Sequence, residues 1–117
     1  MKAKLIRFGE IEIDGKRYTK DVVIEHGQIR KRDKQPSKAL SAEYGHTPLS
    51  AAEAIPWECA RLIVGSGVEG ALPVLDDVRA QAEDKGIELI IAPTREACRL
   101  LSEADLDTTN AILHVTC

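Results

Sequence analysis

Aromatic residues are nearly missing from this chain. One Phe, one Trp and two Tyr stand among 117 residues. Its core must therefore rest on Ile, Leu, Val and Ala, and a row of stacking platforms for single-stranded nucleic acid is excluded. No apolar run approaches the ~20 residues a membrane helix needs. Met1 to Arg7 is basic, but no long apolar region follows it, so the opening is not read as a signal peptide. Cysteine is sparse as well. Cys59, Cys98 and Cys117 make an odd set without C-x-x-C spacing, which suggests neither a disulfide framework nor a zinc site. No metal and no cofactor is expected, and a reducing cytoplasm is the expected home.

What is present is ordinary for one globular domain: 44% hydrophobic and 30% charged residues. The net charge of −3 is unevenly spread. Residues 1–50 hold 11 Lys+Arg against 7 Asp+Glu, whereas residues 51–117 hold 5 against 12. The basic excess sits in Arg30-Lys31-Arg32-Asp33-Lys34 and Lys38. That run is short and lacks aromatics, so it reads as a solvated loop rather than a nucleic-acid surface.

Hydrophobic periodicity divides the chain into a β-rich portion (1–30), a polar loop (31–48) and an α/β portion (49–117). In the first, Ile11-Glu12-Ile13 alternates as a half-buried strand does, and Asp14-Gly15 and His26-Gly27 mark tight turns. Three or four short antiparallel strands are predicted there. The loop holds Pro36, Gly45 and Pro48, with a helical turn near Lys38 to Tyr44. Ser50 and Glu53 have capping-box spacing and predict a short helix ended by Pro56. Residues 60–64 predict a strand, and 74–85 a helix with Pro73 at its start and Gly86 at its end. Ile87 to Ala92 predicts a strand buried on both faces. Thr94 predicts the cap of a helix reaching about Ala104, and Ala111 to Val115 a last strand. Strand–helix–strand–helix–strand after an antiparallel portion predicts a layered α/β domain, with a parallel or mixed central sheet and an N-terminal β-hairpin layer.

Gly65-Ser66-Gly67-Val68-Glu69-Gly70 matches G-x-G-x-x-G after an apolar strand. A dinucleotide loop places its helix N-terminus at the third glycine and an acidic residue at the end of the next strand. Here Pro73 delays the helix, Glu69 sits where a phosphate would lie, and Ala92-Pro93-Thr94 closes the second strand. The glycines read instead as a sharp exit from a central strand. Such an exit is still where open α/β sheets bind ligands, and Ser66 offers a hydroxyl there.

His114 and Cys117 fall on opposite faces of an extended strand, which argues against a Cys–His nucleophile pair. His114 and His46 can meet near Asp21 as an acid–base or metal group, but no local spacing supports it. Cys59 and Cys98 read as small buried hydrophobes, and Trp57 as packed beneath the short helix.

Taken together, RFGEIEIDGKRYTKDVVI (Arg7–Ile24), Gly45-His46, LIVGSG (Leu62–Gly67), KGIELIIAPTREAC (Lys85–Cys98) and AILHVTC (Ala111–Cys117) resemble the small domain family of the adipogenesis-associated protein, to which a mitochondrial complex I assembly factor is related. The resemblance implies a three-layer α/β fold, no established catalysis and a role among protein partners. Its recurring positions fall here on Gly9, Asp21, His46, Gly65, Gly67, Thr94, Ala97, His114, Thr116 and Cys117. Leu101-Ser102 replaces that family's Tyr-Asn pair, and the polar loop Lys31 to Tyr44 replaces its aromatics.

The expectation is a partner-binding or assembly-assisting module. The alternative is a small-molecule binder or weak enzyme with a cleft at the Gly65–Gly70 loop. Either way the cleft is expected among Gly65, Ser66, Gly67, Asp21, His46, Thr94 and His114, with no catalytic residue assigned. A protein partner is expected, nucleic acid and membrane are not, and the strand-rich N-terminal part offers an edge for a homodimer.

Overall fold

The computed structural model describes all 117 residues, Met1 to Cys117. Alternation at the N-terminus builds a small antiparallel sheet from β1 (Ala3–Arg7), β2 (Glu10–Ile13) and β3 (Lys16–Tyr18). Register pairs Ala3 with Ile13 and Leu5 with Ile11, and these four side chains are buried on one face. Asp14 and Gly15 turn β2 into β3 with φ of 49° and 84°. His26 and Gly27 do the same, at 50° and 76°, between β4 (Val22–Glu25) and β5 (Gln28–Lys31). Two successive positive φ values match the twist of paired strands, which is why x-Gly dipeptides stand there. The N-terminal portion thus holds five strands, not the three or four predicted, and they divide between two sheets.

The larger sheet runs β5-β4-β8-β6-β7. It takes β6 (Arg61–Ser66), β7 (Glu88–Ala92) and β8 (Thr109–His114) from the second half of the chain. The β6 strand is parallel to β7 on one side and to β8 on the other, while β4 is antiparallel to β8 and β5. The two crossover helices are α2 (Asp76–Asp84) and α3 (Thr94–Ser102), and they cover opposite faces. Ala97, Cys98 and Leu101 of α3 join Ile63, Ala111, Leu113 and the small sheet in one core. Val78 of α2 joins Leu62, Val64, Ile112, Leu49 and Ile55 in the other. Strand alternation sends Ile63 one way and Leu62 and Val64 the other, so β6 feeds both cores. Each such fully buried side chain contributes roughly 1.5–3 kcal/mol. These are the layers of an α/β domain with a β-hairpin layer, as the patterning predicts.

Four local expectations change. Residues 35–44 form more regular structure than one helical turn: a 3-10 helix (Gln35–Leu40) runs into α1 (Ser41–Tyr44). No helix follows Ser50; a single turn closes with Glu53 N–H on Ser50 C=O, because the Glu53 carboxylate is drawn to a buried cation instead of capping. The β7 strand packs Ile90 on one core and Leu89 and Ile91 on the other, but as an edge strand it is only partly buried. Thr94 is the first residue of α3 rather than its cap, since its hydroxyl is used elsewhere.

Candidate functional site

Four polar residues cross the large sheet side by side at the carboxyl ends of its parallel strands. Ser66 ends β6 in register with His114 at the end of β8. Val22 faces Leu113, so Asp21, one residue earlier, faces His114. Val22 also faces Lys31, so Arg32 sits beside Asp21, and its N–H donates to the Asp21 carbonyl at 2.8 Å. Alternation turns all four away from the α3 core.

Three of the four are locked together. His114 Nδ1 lies 2.8 Å from Asp21 Oδ2, and Nε2 lies 3.1 Å from Thr116 Oγ1. Asp21 Oδ1 accepts from the Val115 N–H at 2.9 Å, and Oδ2 also accepts from Arg32 Nη1 at 2.9 Å. Arg32 then donates through Nε and Nη2 to both oxygens of Glu53 and through Nη2 to the Pro48 carbonyl. Ser37 Oγ donates to Glu53 at 2.6 Å and meets Ser50 Oγ at 2.7 Å. No buried side-chain nitrogen or oxygen lacks a partner. Burial works to raise the Asp21 carboxyl. Hydrogen bonding and charge from His114, the Val115 N–H and the Arg32 charge outweigh it and hold Asp21 below the usual carboxylate range. Burial likewise works to lower Arg32, and Glu53 and Asp21 overcome it, so the guanidinium is held more firmly charged than usual.

The glycine loop is tied to the same strand end. Thr94 is fully buried; its hydroxyl donates to the His114 carbonyl at 2.6 Å and accepts from the Gly67 N–H at 2.8 Å. Gly65 lies against Thr94, where a Cβ would come within 2.9 Å of that hydroxyl oxygen. Gly67, at φ 106°, leaves no room for a Cβ, which would collide with the Cys117 backbone carbonyl. Val68 N–H donates to the Thr116 carbonyl at 2.6 Å, and Ala71 N–H to the Cys117 carbonyl at 2.9 Å. The space a pyrophosphate would take in a dinucleotide loop is occupied by the chain itself, and α2 begins only at Asp76.

Ser66 instead faces an open cleft of about 690 Å³ beside α2, lined also by Tyr44, Leu72, Val74, Arg79 and Ile91. It lies where β6 leads to β7 on one side and receives β8 on the other, the switch point at which α/β sheets bind ligands. Of the residues predicted for a cleft, Ser66 alone lines it, with Gly70 from the same loop. Asp21 and His114 are joined to each other beneath the surface, while Gly65, Gly67 and Thr94 hold the loop's shape. His46 is exposed and stands apart from that pair, its Nδ1 3.4 Å from Cys117 Sγ. No three His, Cys, Asp or Glu side chains gather in a metal-ligating arrangement. A second depression, of about 320 Å³, is lined by Lys31, Asp33, Lys34, Gln35 and Lys38, with Arg32 at its base.

Arg32 and Glu53 were not legible as partners. Arg32 hides in a run of exposed charges, and Glu53 has the spacing of a helix cap. One signal was there: Ile29 faces the α3 core, so Arg30 and Arg32 must share the opposite face, which this sheet also covers.

The sequence pattern described as "Protein of unknown function (DUF498/DUF598)" matches residues 4–103. Among solved structures, the chain is similar to the conserved hypothetical protein PH1505 from Pyrococcus horikoshii OT3. Identity is 34%, the TM-score is 0.79, and all of both chains is covered. It is similar also to the protein MT938, at 26% identity and TM-score 0.70, over 95% of this chain and 94% of that one. An outer membrane protein from Bartonella henselae shares the fold alone, at 18% identity and TM-score 0.61 over 98% and 96% of the two chains. No curated protein matches the chain significantly. No helix is long and apolar enough to cross a membrane.

Proposed function

Because this chain belongs to the DUF498/DUF598 family, whose function is unknown, its role must be read from its own geometry, and we propose that it is a partner-binding module. The docking surface is the cleft beside Ser66, continued across α1 to the lysines at 31, 34 and 38. One observation carries this reading: the cleft is open and sets apolar walls (Leu72, Val74, Ile91) beside polar ones (Ser66, Asp76, Arg79), while the acid–base pair at the neighbouring strand ends is spent internally. A catalytic site needs a titratable group aimed at substrate. Here each ring nitrogen of His114 and each carboxylate oxygen of Asp21 already has a partner within the protein.

The partner presents an apolar side chain to the cleft, flanked by acidic residues that meet Lys31, Lys34 and Lys38. Tyr44, 40% exposed, is one of two large hydrophobic residues left exposed, and it lies on the cleft wall at the end of the helical segment that begins beside those lysines. Exposed aromatics of this kind are the usual anchors of interfaces, and truncating one costs about 2 kcal/mol or more of binding. The sequence resemblance to a family to which an assembly factor is related favours this reading.

A photo-crosslinking residue at position 44, expressed in the native host, tests it, with the exposed Phe8 on the small sheet as control site. The expected result is one discrete adduct from position 44 and none from position 8. That adduct disappears when Lys31, Lys34 and Lys38 are changed to Glu. Identical adducts from both sites, or none from either, sink the proposal.

A further inference from the structure

We propose that the outer edge of β7 is a self-association site, where a second copy of this chain pairs antiparallel through its own β7. This inference rests on backbone geometry and does not depend on the docking reading above, although Ile91 also lines that cleft.

The β7 strand ends the order β5-β4-β8-β6-β7, so one of its edges has no neighbour. In a parallel ladder, alternate residues turn both backbone groups to the same side. Glu88 N–H donates inward to the Ala60 carbonyl. Glu88, Ile90 and Ala92 therefore face β6, and Leu89 and Ile91 turn their N–H and C=O outward. The other free edges are blunted by cations: Arg30 and Lys31 on β5, Lys16 and Arg17 on β3, Lys4 and Arg7 on β1. Such charges discourage edge pairing. The β7 strand has none. Its one charge, Glu88, is tied back to Arg61 at 2.8 Å. The N-terminal strands, where the sequence suggested an edge for a dimer, are the protected ones.

The outward groups are self-complementary. Turning a second copy end for end about Ile90 sets Leu89 against Ile91 of the second copy, and Ile91 against its Leu89. Every outward donor then meets an outward acceptor. The facing side chains are Leu with Ile, Ile with Ile, and Glu88 with Ala92 of the second copy, so no like charges meet within the strand. Slipping two residues one way brings Pro93 opposite, which has no N–H to give. Slipping two the other way brings Ile87, whose N–H is already given to the Ala82 carbonyl at 2.9 Å. One register remains, and it joins the five strands of each copy into one sheet.

Sedimentation equilibrium and amide hydrogen exchange on the wild-type protein, each across a wide range of concentration, test this directly. The expected result is a concentration-dependent dimer in which the Leu89 and Ile91 amides exchange about tenfold more slowly, while amides on the β5 edge do not change. Ile91→Pro removes one outward N–H and spares the ladder to β6; Leu89→Lys adds the missing edge charge. Both are expected to abolish the dimer with circular dichroism unchanged. A wild-type protein that stays monomeric overturns the proposal, as does a dimer whose Leu89 and Ile91 amides exchange freely. Exchange on the wild-type chain decides the matter even where a variant misfolds. Crosslinking at position 44 reports separately on the docking reading.

Discussion

Arg32 and Glu53 meet at two points inside the protein: Nε stands 2.7 Å from Oε1 and Nη2 2.8 Å from Oε2, with the side chains 2% and 4% exposed. They join the end of the hairpin β4–β5 to the irregular segment that covers the α2 face of the sheet. Removing Glu53 leaves the buried guanidinium with Asp21 as its sole carboxylate partner and its Nε without an acceptor. Glu53→Ala is therefore expected to destabilise the fold by about 3–5 kcal/mol, measured by urea denaturation. A loss below about 1 kcal/mol, as exposed pairs show, would mean that Arg32 finds water or another anion.

Asp21 makes stability depend on pH in a defined sense. Its folded pKa lies below the ordinary value, so its contribution is fully present above the unfolded value of about 4 and is lost as pH falls through the depressed folded one. Urea midpoints of wild type and Asp21→Asn are expected to differ most at neutral pH and to converge in acid. A gap that is constant with pH would show that Asp21 acts only by shape.

Thr94 should be sensitive to loss of one oxygen. Thr94→Val keeps the volume but leaves the Gly67 N–H and the His114 carbonyl without their bridge. A loss of about 1–3 kcal/mol is expected, with Thr94→Ser much milder, and thermal denaturation of the two variants separates them. Equal losses would point to the methyl group instead.

Two glycines with positive φ should behave differently. Gly67→Ala drives a Cβ into the Cys117 backbone, whereas Gly15→Ala meets nothing within 4 Å. Gly15→Ala carries only backbone strain, about 1–2 kcal/mol. Gly67→Ala is expected to cost that plus the collision, and equal melting temperatures for the two would contradict the close approach.

Cys98 is 1% exposed, and burial pushes its thiol up to about 11. Thiolate, not thiol, is the reactive form. In native protein at mild alkaline pH, iodoacetamide is expected to leave Cys98 unmodified until the chain is unfolded. Early labelling at Cys98, read by peptide mass spectrometry, would show that α3 opens readily.

The elements legible in the sequence were those with strong local signals. The two x-Gly turns and the α2 pattern ending before Gly86 needed only neighbouring residues to specify them. What stayed hidden was set by distant partners. Glu53 has the spacing of a helix cap, and only Arg32, 21 residues away, reveals why no helix forms. The apolar run of β7 looks the same whether a neighbour lies on both sides or one, because strand order is a property of the whole sheet. The pairing of Asp21 with His114 spans 93 residues. Their types hinted at chemistry, but only the register shows that they satisfy each other. Ser66 lies at a strand end beside a switch point, a place dictated by topology rather than by a partner.

The central position of β8 has a consequence for the order in which the protein takes shape. Between β4 and β6 the sheet has no other link, so without Thr109–His114 it falls into two ribbons, β5–β4 and β6–β7. A ribosome adds about 5–20 residues per second, and once Glu88–Ala92 has been made the two ribbons still wait for Thr109–His114 to join them. Hairpins and helices can flicker into being early, but the sheet becomes one object only when its middle strand in space, which is its last strand in sequence, emerges and slides between the halves.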